Sequence, residues 1–299
     1  MSSPSPVAPA RPAATVVLLR DLAGEPGFEV FLVRRHDKVA FMGGAYVFPG
    51  GRLDPADATP PDLSWCDGMD VAAARFGGMP PADAVAYHVA ALRELFEEAG
   101  VLLARMPSGE IVRALDAAAE ARLASARAAL HTSTASLPAV VGEEGLRLAL
   151  DLLIPLSHWV TPEIEIKRFD TRFFVARVPP GQVPVHDERE TTDSAWMRPE
   201  AALARCREGE ILLPPPTWTT LKELLRFDRV DDVLAWAAGR PQIRVQPGFV
   251  RRPELTMLTL PGDPLHPALP GYEVPEDTRF VLKDGRWRAV QVGDPEVPL

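Results

Sequence analysis

The 299-residue sequence predicts a mixed α/β fold, on three observations. Short β-rich apolar runs open the chain, one long helical pattern follows, and strand and helix patterns then alternate. That order, β, β, α, β, α, belongs to the α/β or α+β classes. Hydrophobic residues make up 46% and charged residues 24%, the balance of a globular chain able to bury a sizeable core. The length allows one large domain or two modest ones.

Residues 1–14 are rich in Pro, Ser and Ala and read as a disordered tail. They lack a positive region ahead of an apolar core, so they do not read as a secretory signal. Thr15 to Arg20 (TVVLLR) and Phe28 to Arg35 (FEVFLVRR) are strands joined through the turn at Gly24 to Gly27. Ala45 to Phe48 is a third strand, which Pro49-Gly50-Gly51 should break. Asp57 to Gly78 has turn residues and no sustained period and reads as an inserted loop. Pro81 to Gly100 is a strong helix, with Asp83 near its start, an apolar stripe and Gly100 as its stop. Val101 to Leu103 is a short strand or helix exit. Ala-rich Glu110 to Leu130 and Gly142 to Leu153 read as helices on either side of a polar break. Trp159 to Thr161, Phe169 to Arg177 and Ser194 to Met197 read as strands. Pro199 to Cys206, Thr217 to Arg226 and Asp231 to Ala238 read as helices. The tail from Arg240 is Pro-rich with scattered short strands, the last two flanking Lys283-Asp284-Gly285.

Charge and cysteine usage exclude several classes. The net charge of −9 disfavours a broad basic surface for nucleic acid, which needs clustered Lys and Arg. Two distant cysteines, Cys66 and Cys206, exclude a disulfide scaffold and a Cys-rich metal site. No apolar run approaches the ~18 residues of a membrane span, so a reducing, soluble, cytoplasmic setting is expected. The six histidines (36, 88, 131, 158, 186, 266) show no HExxH or paired ligand spacing and read as structural or surface residues. GxGxxG, GxxxxGK and GxSxG are absent, which removes support for dinucleotide-fold, P-loop and α/β-hydrolase readings.

The stretch that carries chemistry is Ala90 to Val101, AALRELFEEAGV. Glu94, Glu97 and Glu98 stand at i, i+3 and i+4, within one ~100° arc of a helix. Leu92, Leu95, Phe96 and Ala99 fall opposite, so the acids are expected on a solvent-side face. Like charges at this spacing repel, and Arg93, four residues before Glu97, relieves only one of them. A hard divalent cation is the natural neutraliser, since Mg²⁺ prefers oxygen ligands shared between carboxylates and substrate phosphates. A solvated acidic helix face is the alternative reading of the same three residues.

Gly50-Gly51 follows a strand and precedes this helix, and the arrangement resembles the Nudix hydrolase family. In that pattern a glycine is followed, after five residues, by an acid, here Asp57, with Asp54 as the competing acid. The second half reads Arg93, Glu94, Leu95, Glu97, Glu98, Gly100, Val101 and matches at every defined position. Thirty-five residues, Ala58 to Leu92, separate the halves where the family usually has seven. FMGGAYVFPGGRLD, WVTP, KRFDTRFF and LLPPPTW further resemble one branch of the family, over roughly residues 15–263. That branch contains the mammalian peroxisomal coenzyme A diphosphatase.

The resemblance implies an α/β/α sandwich with a mixed sheet, helical insertions and a helical C-terminal extension. It places the Nudix domain at 15–213, insertions at about 58–84 and 105–155, and the extension at 214–299. It implies Mg²⁺ or Mn²⁺ held by Glu94, Glu97, Glu98 and the Gly50 carbonyl, with Arg93 holding an acid. Glu190, or its neighbour Glu188, is the expected loop carboxylate, as metal ligand or general base. Arg34, Arg35, Arg52, Lys167 and Arg168 are candidate phosphate contacts, of which one or two are expected to serve. Phe41 and Met42 are candidates for stacking on an adenine, with core packing as the other reading. The implied partner is a CoA-like nucleoside diphosphate, with ADP-ribose, dinucleotides, NTPs or a non-catalytic regulatory role as alternatives. Neither nucleic acid nor membrane is implied, and a homodimer is usual in the family.

Overall fold

The computed structural model describes residues 7–37, 42–58, 64–113, 117–132, 135–253, 255–267, 277–283 and 285–294. The chain runs β1 (Arg11–Asp21), β2 (Phe28–Arg35), β3 (Tyr46–Val47), β4 (Gly50–Arg52), β5 (Cys66–Asp67), α1 (Met69–Ala74) and α2 (Pro81–Ala99). It continues through β6 (Ala104–Arg105), α3 (Ala117–His131), α4 (Leu137–Glu143), β7 (Arg147–Ala149), β8 (Ile154–Val160), β9 (Phe169–Arg177) and β10 (Thr191–Met197). It closes with α5 (Pro199–Arg207), α6 (Pro215–Leu224), α7 (Val230–Gly239), β11 (Arg244–Val245), β12 (Gly248–Arg252), β13 (Leu255–Thr259), β14 (Arg279–Lys283) and β15 (Arg286–Val290).

Among the described residues the main sheet has eight strands in the order β10-β2-β1-β9-β8-β11, with β3 beside β2 and β4 beside β1. It is mixed, because β1 runs parallel to β9 and β11 to β8 while the other pairs are antiparallel. Val16 to Leu19 are all fully buried, as expected of a central strand covered on both faces. Side chains alternate between the two layers. Val16, Leu18, Phe31, Val33 and Phe174 pack towards α2, whereas Val17, Leu19, Leu32 and Val175 join the core beneath α5, α6 and α7. Pro81 opens α2 at a position where its missing N–H is no loss, and Gly100 ends it at φ 68°, a conformation glycine adopts without strain. This is the expected α/β/α sandwich.

The segments expected as insertions, about 58–84 and 105–155, meet in one three-stranded sheet. β5 from the first pairs parallel with β7 from the second, and β6 pairs antiparallel with β7. Arg105 forks onto Asp151 at 2.7 and 2.8 Å, and Arg75 donates to the Asp151 and Leu153 carbonyls. Among the described residues no helix is long and apolar enough to cross a membrane.

Several local expectations differ from the structure. The tail is shorter than expected, since residues 11–14 already belong to β1, paired with β4 and β9; residues 1–6 lie outside the described set. The third strand does end before Pro49-Gly50-Gly51, at Val47, but the glycines then start a new strand, β4, against β1. The inserted loop contains β5 and α1. The expected helix at 142–153 is instead β7 and a single 3₁₀ turn, with Gly145 at φ 64° ending the short α4 region. A short Leu-rich run suits either state, and pairing with Cys66 and Ala104 selects the strand. The C-terminal extension is helical only through α7; it then forms an antiparallel four-stranded sheet, β12-β13-β14-β15.

Candidate active site

Arg93 organises the site. Its Nε and Nη2 each lie 2.9 Å from one oxygen of Asp57, a bidentate fork, and Nη2 also donates to the Arg52 carbonyl. Nη1 stands 2.8 Å from Glu94 and 3.3 Å from Glu97. One guanidinium therefore ties the glycine-rich strand, the loop acid and the acidic helix together across 35 intervening residues. Of the two competing loop acids, Asp57 faces Arg93, while the Asp54 carboxylate accepts the Ala56 N–H and shapes the turn.

The acids are not on a solvent face. Glu98 is 6% exposed, and the Glu94 and Glu97 side chains are only 12% and 13% exposed. Glu98 accepts a hydrogen bond from the Gly50 N–H at 2.8 Å. A Cβ on Gly51 would lie 2.6 Å from the Glu94 carboxylate, and one on Gly50 would overlap the Ala14 carbonyl and Thr15. Two glycines are needed here for close approach. Burial pushes the Glu94 carboxyl up to about 7, with the Glu97 charge adding and Arg93 opposing. Burial and then the Glu94 charge hold Glu98 well above the ordinary carboxylate range, and burial also raises Glu97.

This donor set fits a hard divalent cation. Three carboxylates crowd one helix turn and burial penalises their charge; among the described residues Arg93 pairs with Glu94 and Glu97 but not with Glu98, and it is shared with Asp57. Among the described residues no group of three or more His, Cys, Asp or Glu side chains is placed to hold a metal ion by itself. Mg²⁺ typically takes one or two carboxylates together with substrate phosphates, so an open set of this kind suits it.

Glu94 and Glu97 open onto a cavity of about 880 Å³, whereas Glu98 lies behind them against the Gly50 N–H and does not line it. Gly50, Gly51, Glu94 and Glu97 form one wall, and Trp159 and Phe173 of the sheet lie in its lining. Leu137 from the second insertion and Trp287 from the C-terminal sheet complete it.

Comparison with known proteins agrees with this geometry. Residues 70–224 match the family described as the NUDT19 Nudix domain. The chain is 30% identical to the human protein named acyl-coenzyme A diphosphatase NUDT19, over 80% of this chain and 72% of that one. The chain belongs to the NUDT19 Nudix domain family. It is thus a Nudix hydrolase. The Xenopus laevis protein of the same name is 27% identical over 81% of this chain and 72% of its own length. A solved Nudix hydrolase from Alicyclobacillus acidocaldarius is 30% identical, with a TM-score of 0.60, covering 77% of this chain and 97% of that one.

The candidate cations of this Nudix chain divide sharply. Arg35 and Arg52 line the cavity, and among the described residues the buried Arg35 Nε has no hydrogen-bond partner. Arg34, Lys167 and Arg168 do not line it. Arg34 is on the other face of β2, bonded to Asp37 and Thr192. Arg168 is buried and donates to the Thr161 and Ala8 carbonyls. Lys167 is exposed on the loop before β9. Of the two loop acids, Glu190 lines the cavity and its charge acts on Glu94 and Glu98, whereas Glu188 is exposed off it at φ 60°. Met42 lines the cavity, while Phe41 lies outside the described residues. Sequence reasoning missed His131, which lines the cavity, and its helix neighbour Arg127; no local spacing links either to the acids.

Proposed function

We propose that the chain hydrolyses the diphosphate bridge of CoA or an acyl-CoA, giving 3′-phospho-AMP and (acyl-)4′-phosphopantetheine. The observation that carries this reading is likeness over four-fifths of the chain to relatives named acyl-coenzyme A diphosphatases. The cavity supports it, because a volume of about 880 Å³ accommodates a long cofactor-sized ligand beside the acids. The catalytic unit spans about 15–213, and 214–299 contributes walls to its cavity through Pro215 and Trp287.

Glu94, Glu97, Glu98 and the Gly50 carbonyl would hold Mg²⁺ or Mn²⁺. When bound, the metal offsets phosphate charge, polarises the phosphoryl oxygens and lowers the pKa of a water. Arg35 and Arg52 bind diphosphate oxygens; the Arg35 Nε supplies a buried donor that no group among the described residues takes up. Glu190 accepts a proton from the attacking water. Arg93 also lines the cavity, but its guanidinium is engaged by Asp57, Glu94 and Glu97, and its role is to orient these acids. Phosphoryl transfer asks chiefly for positioning and charge stabilisation, which this wall provides. The setting is cytoplasmic.

The test compares kcat/KM for CoA, dephospho-CoA and ADP-ribose with Mg²⁺ and with Mn²⁺. CoA should be the best substrate, and loss of the 3′-phosphate should cost about 1.5–3 kcal/mol, the worth of a charge-assisted contact. A tenfold preference for ADP-ribose would overturn the CoA reading and leave the Nudix chemistry in place.

A further inference from the structure

We propose that Arg127 and His131, on helix α3 of the second insertion, are positioning residues that lock the carboxylate helix to the loop carrying Glu190. The inference rests on the site reading above, in which Glu97 and Glu190 act in one cavity.

The last turn of any helix leaves carbonyls without intrahelical partners. In α2 the Phe96 carbonyl is taken by the Gly100 N–H at 2.9 Å. The Glu97 carbonyl is taken from outside the helix, by two side chains at once. Arg127 Nε donates to it at 2.7 Å, and His131 Nε2 lies 2.9 Å away. A cation placed at a helix C-terminus is also favoured by the helix dipole.

The same two side chains reach the acid loop. Arg127 Nη2 donates to the Val185 carbonyl at 2.8 Å. His131 Nε2 lies 3.6 Å from the Asp187 carboxylate, so both of its neighbours are acceptors and Nε2 carries the hydrogen. Asp187 in turn accepts the N–H groups of Arg189, Glu190 and Thr191 and the Thr191 hydroxyl. That web shapes the turn in which Glu188 sits at φ 60° and Glu190 reaches the cavity. The Val185 N–H closes the link by donating to the Ala99 carbonyl at 2.9 Å.

Two elements distant in sequence, α2 and the 185–191 loop, are thus bridged by one helix turn of an insertion. A helper that only added stability would have no reason to converge on the backbone of a wall acid at one end and the Glu190 loop at the other. The bridge sets the separation of Glu97 from Glu190, and a misplacement of about 1 Å at a reacting centre costs on the order of 100-fold in rate.

The test uses Arg127→Ala, Arg127→Lys, His131→Phe and His131→Gln, with Glu97→Gln as the control for the site reading. Three quantities are measured: kcat and KM for CoA, the Mg²⁺ concentration giving half the maximal rise in melting temperature, and amide hydrogen exchange at Glu190 and Thr191. Arg127→Ala and His131→Phe should each lower kcat by about 10- to 100-fold with KM within about 3-fold. The Mg²⁺ midpoint should rise, and the Glu190 and Thr191 amides should exchange faster. His131→Gln keeps a donor at the Nε2 position and should restore kcat to within about 3-fold of the parent protein. Arg127→Lys keeps the charge and loses the bridge, so it should fall between parent and Ala; it also serves if the Ala variant does not fold. Near-parental kcat, Mg²⁺ midpoint and exchange in Arg127→Ala and His131→Phe overturn the proposal, even if both melt earlier. Normal turnover in Glu97→Gln would instead overturn the site reading, and the exchange data would still judge the bridge.

Discussion

Removing Arg93 should cost more stability than removing Asp57, although the two are partners. Asp57 is 2% exposed and accepts two forked bonds from Arg93 at 2.9 Å and one from the Asp54 N–H at 2.7 Å. Breaking a buried ion pair from one side typically costs about 3–5 kcal/mol, mainly through the orphaned charge. In Asp57→Asn, Arg93 is not orphaned, because Glu94 and Glu97 remain at 2.8 and 3.3 Å. The cost should therefore fall at about 2–3 kcal/mol. In Arg93→Met, Asp57, Glu94 and Glu97 all lose the same cation, and the cost should reach about 4–5 kcal/mol. Urea unfolding at pH 7 in EDTA, with matched m-values, measures both. Millimolar Mg²⁺ should restore part of the Arg93→Met loss and little of the Asp57→Asn loss, since a metal replaces the missing positive charge at Glu94 and Glu97. Equal costs for the two variants, or Mg²⁺ rescue of neither, would refute the argument that Arg93 is the shared counter-charge of the acid wall.

Glu97→Gln and Glu98→Gln should each lower kcat at least ~100-fold at saturating Mg²⁺ with intact folding, and near-normal turnover in both would remove the metal assignment. Gly51→Ala should push the Glu94 carboxylate aside, because its Cβ would come within 2.6 Å; turnover should fall ~10-fold or more while the melting temperature drops only a few degrees. Two groups give opposite pH trends in the metal-free protein. Burial raises Glu94 from about 4.5 to about 7, so its folded form binds the extra proton; the stability this gives is present below pH 4.5 and lost as pH rises towards 7. His88, wholly buried between Phe76 and Phe174, is lowered from 6.5 to about 4 by burial, so stability is lost as pH falls from 6.5 towards 4. Urea titrations of Glu94→Gln and His88→Leu should each flatten one of these slopes, and a slope unchanged in its own variant would refute that attribution.

The ranges of β2, α2 and β9 were legible from the chain because hydrophobic period and helix-stop residues act within a few positions. The clustering of Glu94, Glu97 and Glu98 was legible for the same reason: three residues at i, i+3 and i+4 share a face in any helix. Their burial was not, since it depends on β4, whose Gly50 and Gly51 pack against Glu98 and Glu94, and on α3 meeting the end of α2. Nor was the choice of Arg35 over Arg34, because a strand points neighbours to opposite faces and only the packed sheet decides which face holds the cavity. Residues 142–153 depart from the expected helix because a short apolar run carries no decisive period, and pairing with Cys66 and Ala104 selects the strand from far along the chain. Arg127 and His131 left no trace in the sequence at all. Their part in the site exists only where α3 meets the end of α2 and the 185–191 loop, contacts between segments 30 to 58 residues apart. The sequence by itself thus determined the family, the acid spacing and the chemistry those acids suit, all of which local helix and turn geometry encode. The tertiary structure decided how much water the acids see, which cations face them and what holds the walls together, because each depends on contacts between distant parts of the chain.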